Sequence, residues 1–176
     1  MGLRHSPRKE PVRRSAREND AFGYHRILAS VSATPDGQTA IDVACRLATK
    51  HHATVTAVTV IEVPPLLPLD AHMIEEEEAA HDVLNSTIAV ANSYGLHLST
   101  AILRGREAAS VIVDQATVDN TELIVISATP KRRGQRRHQM FGKTVEHVLK
   151  NAHCRVMIIS AKPDAERSAR KLSAPD

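Results

Sequence analysis

The stretch MFGKTVEHVLKNAHCRVMIIS, residues 140 to 160, contains both kinds of secondary structure from which we expect the fold to be built. Apolar residues at intervals of three and four mark one face of a helix: Val145, Val148, Leu149 and Ala152. The segment from Cys154 to Ser160 is a short apolar run, which predicts a strand. The chain is therefore expected to end its folded part with a helix followed by a strand.

The same alternation of strand and helix extends through the preceding sequence. Strands are predicted at 26–32, 53–63, 96–103 and 122–127. Helices are predicted between them, one with a face formed by Ile41, Ala44, Cys45 and Ala48, and one marked by apolar residues at 108–116. A longer helix is predicted at 71–93, with apolar positions that include Leu84, Ile88 and Ala91. Because several strands are apolar on both faces, we expect a three-layer, Rossmann-like α/β fold with a five-stranded parallel sheet.

Polar segments flank this pattern on both sides. Residues 1–23 are rich in Arg, Ser and Pro and lack periodicity, which predicts a disordered basic arm. Residues 162–176 resemble them and are predicted to form a polar tail. A chain of 176 residues accommodates one domain, which we place at residues 24–161.

The net charge of +3 is unevenly distributed. Basic residues occur in two runs, one in the arm and one at Lys131, Arg132, Arg133, Arg136 and Arg137. Such runs are typical of solvated segments or of sites for an acidic partner or a phosphate ligand. Nucleic acid is an unlikely partner because single-strand binders stack bases on aromatic rings, and this chain has two Phe, two Tyr and no Trp.

The cysteines and histidines do not predict a metal or redox centre. Cys45 and Cys154 are far apart, so we expect buried free thiols in a reducing cytoplasm. The histidines are dispersed without metal-ligand spacing. No apolar stretch reaches the 18 or so residues of a membrane span. These features predict a cytoplasmic protein with no metal site and no membrane span.

Gly142, Lys143 and Thr144 resemble the end of a nucleotide hydrolase phosphate loop. That motif requires a glycine five residues before Gly142, where this chain has Arg137, and it must follow a strand directly. The preceding predicted strand ends at Ser127. The hydrolase interpretation therefore fails, although a helix start with a lysine still favours an anion. No nucleophile elbow is present either, so no catalytic residue is predicted.

Ligands of open parallel sheets bind beyond the carboxyl ends of the strands, where strand order reverses. Three segments should meet there: the chain after Ser32, the chain after Gly105, and the loop from Ser127 to Gly142. The third segment is the longest and the most basic, and it includes Arg132.

The sequence resembles the universal stress protein family across residues 24 to 160. The resemblance rests on RILASVS, TAIDVACRLATKHHA, TVTAVTVIEV, GREAASVIVDQA and ELIVIS, and above all on the ending FGKTVEHVLKNAHCRVMIIS. It implies strand order 3-2-1-4-5, dimers formed through the last strand, and binding of ATP, AMP or related adenine nucleotides. No metal is implied beyond magnesium associated with a nucleotide.

Carrying the nucleotide site across the resemblance shows several departures. Ser32 stands where nucleotide-binding members have an Asp, and Ser127 and Pro130 stand where they have a Gly-x-x-Gly. Gly142 keeps its place, but Lys143 follows where a small hydroxyl residue is usual and Thr144 comes one position late. The resemblance further implies that Val60 lines the adenine pocket and that the backbone at Gly105 approaches the ligand.

Two functional hypotheses follow. The first is a non-catalytic regulatory domain that binds an adenine nucleotide through this altered site. The second is a nucleotide-free interaction module whose basic loop docks a protein, a transporter or a lipid partner.

Overall fold

The computed structural model describes residues 23–128 and 141–160. Its strands and helices alternate in the order β1 (Arg26–Ser30), α1 (Pro35–His51), β2 (Thr54–Glu62), α2 (Ile74–Ser93), β3 (Ser99–Gly105), α3 (Ala108–Val118), β4 (Leu123–Ser127), α4 (Lys143–Asn151) and β5 (Arg155–Ile159). The strands form one parallel sheet in the order β3-β2-β1-β4-β5. The predicted fold class and strand order are therefore confirmed. The tail at 162–176, and all of the arm except residue 23, lie outside the described residues.

Helix α1 begins and ends at residues with clear capping chemistry. Thr34 precedes the helix, and its hydroxyl accepts a hydrogen bond of 3.2 Å from the Gly37 N–H, while Pro35 occupies the first turn. Both features favour a helix start. The helix stops at His52, whose left-handed φ of 54° ends the regular hydrogen bonding. The apolar face predicted for this helix is confirmed, since all four of its residues are buried: Ile41, Ala44, Cys45 and Ala48.

The sheet separates two apolar cores. Ile27 and Ala29 of β1 point toward α1 and α2, whereas Leu28 points toward α3 and α4. Strand β4 is buried from Leu123 to Ile126 on both faces, as a continuous apolar run predicts for an interior parallel strand. Each fully buried Leu or Ile side chain contributes roughly 1.5–3 kcal/mol to folding.

Strand order reverses between β1 and β4. These strands are neighbours, but β1 leads into α1 on one face of the sheet and β4 leads to α4 on the other. The two connections diverge at the carboxyl edge of the sheet and leave a crevice between them.

The third strand begins later than predicted. Residues 96–98 are not in β3, because the Leu96 N–H bonds back to the Ala91 carbonyl at 3.1 Å and finishes the end of α2. Gly95 supports this turn with a φ of +66°. Leu96 and Leu98 nevertheless pack against the α1/α2 core, so the apolar character that suggested a strand serves packing instead.

Two predicted core positions are more exposed than expected. Leu149 of α4 is 45% exposed and Ile88 of α2 is 38% exposed. Successive helical residues are rotated by about 100°, so Leu149 points away from the seam in which Val148 is fully buried. Both helices cover the sheet with narrower apolar stripes than the sequence pattern indicates.

Candidate functional site

Parallel register brings three of the predicted site residues to one edge of the sheet. Ser30 of β1 pairs with Val58 of β2 on one side and with Ile126 of β4 on the other. Ser30, Val58 and Ile126 thus form one row across the sheet. Ser32 and Val60 each follow two residues after this row, and Ser127 follows one residue after it. These residues border the crevice where strand order reverses.

The turn from β1 into α1 is tightly closed by its own side chains. The hydroxyl groups of Ser32 and Thr34 lie 3.0 Å apart, and Thr34 in turn caps the helix. Gly37 faces Ser32 so closely that a Cβ at Gly37 would lie 2.3 Å from the Ser32 carbonyl oxygen. Ser32 is exposed, but its hydroxyl already has a partner within the turn.

Gly105 is explained by packing at the end of β3. A Cβ at this residue would lie 2.2 Å from Cγ2 of Val111 in α3. Strand β3 pairs with β2 through this point, since Gly105 aligns with Glu62 and its carbonyl accepts from the Val63 N–H at 2.8 Å. Close packing of strand against helix therefore suffices to require glycine here.

At two other helix starts, a carboxylate side chain of this chain accepts a hydrogen bond from a backbone N–H group. The Glu62 carboxylate accepts a 2.7 Å hydrogen bond from the Ala108 N–H at the beginning of α3. At the beginning of α2, the Glu77 carboxylate accepts from the Met73 N–H at 3.3 Å. Carboxylates are favoured at these positions because helix N-termini carry partial positive charge.

Arg104 and Arg106, on either side of Gly105, hold the loop between β2 and α2. Arg104 donates to the Leu69 and Ala71 carbonyls and forms a 2.6 Å ion pair with Glu77. That hydrogen bond holds the pKa of Glu77 below its ordinary value. Arg106 donates to the carbonyls of Val63, Pro64 and Leu67. Both guanidinium groups are thus committed to this loop.

The start of α4 differs from the other three helix starts. Gly142 precedes it in an extended conformation and has no side chain with which to cap it. A Cβ at Gly142 would meet no atom of residues 23–128 or 141–160 within 4 Å, so packing against these residues does not require glycine there. Val145 is buried and Phe141 packs against the same core as Val60. The helix start, including exposed Lys143 and half-buried Thr144, is therefore anchored on the face to which Val60 belongs.

A cavity of about 260 Å³ opens beside this edge, between α1 and α2. Among the described candidates, only Ser32 lines it; Val60, Gly105, Ser127, Gly142, Lys143 and Thr144 do not. Pro130 and Arg132, with the rest of the basic run at 131–137, lie outside the described residues. The structure thus places the described candidates around one edge without enclosing them in that cavity.

Some of the contacts at this edge can be recognised from the sequence, and others cannot. Thr34 followed by Pro35 is a recognisable helix start. The arginine contacts had no such signal, because Arg104 and Arg106 reach partners 27 to 43 residues away.

The cysteines are free, as predicted, but only Cys45 is buried, and Cys154 is half-buried. Burial, together with nearby Asp42, raises the pKa of the Cys45 thiol to about 11, so it is protonated at neutral pH. Within the described ranges, no three His, Cys, Asp or Glu residues are grouped as metal ligands would be. No helix in those ranges is both long and apolar enough to cross a membrane.

Comparison with known proteins agrees with the fold. The sequence model of the Universal stress protein family matches residues 23–160. Universal stress protein MJ0531 of Methanocaldococcus jannaschii is 30% identical over 149 residues, covering 81% of this chain and 85% of that protein. A universal stress protein from Archaeoglobus fulgidus in complex with dAMP has a TM-score of 0.62 and 19% identity, covering 77% of this chain and 98% of that one. A universal stress protein in complex with cAMP has a TM-score of 0.60 and 14% identity, covering 80% and 99%. Because the family model spans most of the chain and the Methanocaldococcus jannaschii relative is 30% identical, the chain belongs to the universal stress protein family.

Proposed function

We propose that this chain is a non-catalytic regulatory domain that binds an adenine nucleotide, such as ATP or AMP, in the crevice between β1 and β4. The observation that carries the proposal is the start of α4, where the residue before the helix, Gly142, has no side chain to cap the N–H groups beside Lys143. Such a helix start favours phosphate. The family relatives in complex with dAMP and cAMP support an adenine nucleotide as the ligand.

In this proposal each part of the edge has its own role. Val60 contacts the base, and the N–H groups from Gly142 to Thr144 face the phosphates. Lys143 and Arg132 add positive charge, Ser127 and Gly105 border the pocket, and magnesium enters only with the nucleotide. Pro130 cannot donate a backbone hydrogen bond. A missing charge-assisted hydrogen bond costs about 1.5–3 kcal/mol, so we expect weaker affinity than an unaltered site has.

Two measurements on the full chain test nucleotide binding. Mass spectrometry of the denatured purified protein looks for a co-purified nucleotide, and thermal unfolding is followed with ATP, AMP, cAMP or dAMP, with and without magnesium. A ligand at 100 times its Kd stabilises by about 2.7 kcal/mol, which raises Tm by roughly 5–10 °C. No bound nucleotide and no shift at millimolar concentrations would contradict the proposal.

Lys143 provides a local test of the phosphate contact. Lys143→Met should weaken nucleotide binding about fivefold, since one cation near a phosphate contributes about 1 kcal/mol in a water-like dielectric. Lys150→Met, at the other end of α4, is the matched control and should leave the affinity unchanged. Ser32→Asp should strengthen binding by about tenfold if the carboxylate regains a hydrogen bond to the ligand. Equal nucleotide affinities in the unmodified protein and these three variants would contradict a binding site at this edge.

A nucleotide-free interaction module is the second candidate function. It is favoured by the loop that Arg104 and Arg106 hold, because Leu66 is 98% exposed and Leu69 is 49% exposed there. Ordered, exposed apolar side chains mark interaction surfaces. The basic residues 131–137 would supply a second contact with a protein, transporter or lipid partner. Recovery of a bound nucleotide from the purified protein would contradict this candidate.

We further propose a homodimer through β5, which forms one edge of the described sheet. The Arg155 N–H donates to the Glu122 carbonyl, and the Ile159 carbonyl accepts from the Ala128 N–H, both on the side of β4. Because the backbone groups of successive strand residues point to alternate sides, those of Val156 and Ile158 point outward. Ile158→Pro should therefore remove an outward donor and convert the dimer to monomer in light scattering, with the fold retained by circular dichroism. An unchanged mass would contradict dimerisation through this edge.

A further inference from the structure

An open groove runs between α1 and α2 on the face away from α3 and α4. It is the cavity of about 260 Å³ already described. Its apolar lining includes Val31, Ile41, Val83 and Val90. The Thr87 hydroxyl bonds to the Val83 carbonyl at 2.8 Å, so this residue offers no free donor to the groove. The groove therefore offers an apolar floor that no described element covers.

The rim of the groove is acidic. Asp82 lines it, and Glu78 lies one helical turn before Asp82 on the same side of α2. Helix α2 carries Glu75, Glu76, Glu77, Glu78 and Asp82 but no Lys or Arg. On α1, the basic residues Arg46 and Lys50 lie in the second half of the helix, away from the groove-lining Gln38 and Ile41. This charge disfavours a phosphate ligand and the same face of a second copy.

The basic arm at residues 1–22 has complementary chemistry. Residues 1–22 contain six basic and three acidic residues, and all six basic ones precede Glu18. Apolar and small residues are interspersed among them, including Leu3, Pro7, Val12 and Ala16. Such a segment can present cations to an acidic rim and apolar side chains to the floor between them.

The arm joins the domain on the face that carries the groove. Tyr24 packs against the α1/α2 core, its ring lies 5.8 Å from that of His51 at the end of α1, and the Arg155 guanidinium lies 5.6 Å from its centre. A 20-residue helix such as α2 is about 30 Å long. Twenty-two extended residues reach roughly 70 Å, so the arm can span the full length of the groove.

From this charge complementarity and reach, we infer that residues 1–22 of this chain dock in the groove between α1 and α2. The arm covers the apolar floor and places its basic residues against Glu75, Glu78 and Asp82. Ser32 borders both this groove and the crevice between β1 and β4, but the acidic residues proposed to hold the arm are not part of the proposed nucleotide site.

Zero-length cross-linking tests the placement in the full chain. Lys9 is the only lysine among the first 22 residues, so carbodiimide should join it to acids on α2, identified by mass spectrometry as Lys9 linked to Glu75, Glu78 or Asp82. Lys9→Arg keeps the charge and should lose these cross-links. Mixing isotopically labelled with unlabelled chains distinguishes docking within a chain from exchange between chains. Cross-links absent from α2, or found only between labelled and unlabelled chains, would overturn the inference.

Limited trypsin digestion gives a second, independent readout. A docked arm shields its cleavage sites, and Asp82→Lys should increase cleavage after Arg13 and Arg14 about fivefold, as expected for loss of about 1 kcal/mol. Asp114→Lys is the matched control, because Asp114 is also an exposed helical aspartate but belongs to α3 on the opposite face. Equal cleavage rates in the unmodified protein and both variants would overturn docking and leave the groove to a basic partner from another molecule.

Discussion

The starts of α1 and α4 lie at the same edge of the sheet but are built in opposite ways. At α1, the Thr34 hydroxyl caps the helix and Gly37 packs against the Ser32 backbone, so the turn is closed. At α4, Gly142 has no side chain to act as a cap, and no described residue lies within 4 Å of a Cβ placed there. Glycine is therefore required by packing at the first junction, whereas at the second it supplies no capping side chain, as the phosphate site that we propose there requires.

The largest expected effect comes from one substitution made at both junctions. Gly37→Ala should lower the free energy of unfolding by about 2–3 kcal/mol, because its Cβ has no room beside Ser32. Gly142→Ala should cost less, about 0.5–1 kcal/mol, because Ala is a poorer residue than Gly directly before a helix but meets no described neighbour there. Urea denaturation measures both. A stabilising Gly37→Ala, as helix propensity alone would give, contradicts the packing argument.

Removing the cap of α1 should have a smaller effect. Thr34→Ala loses the side-chain acceptor for the Gly37 N–H and should destabilise by about 1 kcal/mol in the same assay. Thr34→Ser keeps a hydroxyl and should recover most of the loss. If both variants unfold like the unmodified protein, the turn is not held by this hydrogen bond.

A still smaller, pH-dependent effect is expected at the start of α2. The folded pKa of Glu77 lies below its ordinary value of 4.5 because Arg104 donates to it. Its stabilisation is therefore present above about pH 4.5 and is lost as pH falls through the folded pKa. Arg104→Met should reduce Tm more at pH 7 than at pH 3.

The control for this prediction is Glu77→Gln, which keeps the side-chain length but cannot titrate. It should show the same weaker pH dependence as Arg104→Met, although it retains the bonds from Arg104 to the Leu69 and Ala71 carbonyls. Parallel Tm curves against pH for all three proteins would contradict a role for this ion pair.

The sequence predicted the parts of the fold that depend on periodic burial. Ile41 and Ala48 mark α1 because a helix face must repeat its apolar residues, and the continuous run of β4 indicates a strand covered on both sides. The start of β3 was predicted wrongly because Leu96 is apolar both as a possible strand residue and as a packed helix end. Only the hydrogen bond to Ala91 distinguishes the two.

The candidate site was less predictable than the fold. Its edge follows from strand alternation, so Ser32 and Ser127 could be placed there from the sequence. The sequence could not show why residue 105 is a glycine, because packing against Val111 and close approach of a ligand would both favour glycine. The contacts of Arg104 depend on loop carbonyls that no local pattern connects with it.

The internal acceptors at the other helix starts have a consequence for the stoichiometry of the nucleotide binding that we propose. Thr34 serves α1, Glu77 serves α2 and Glu62 serves α3, so a second anion at any of these starts must displace a hydrogen-bonded side chain. At the start of α4, the residue before the helix is a glycine and has no side chain to displace. Calorimetric titration with a nucleotide should consequently saturate at one equivalent per chain, and a dimer should bind two.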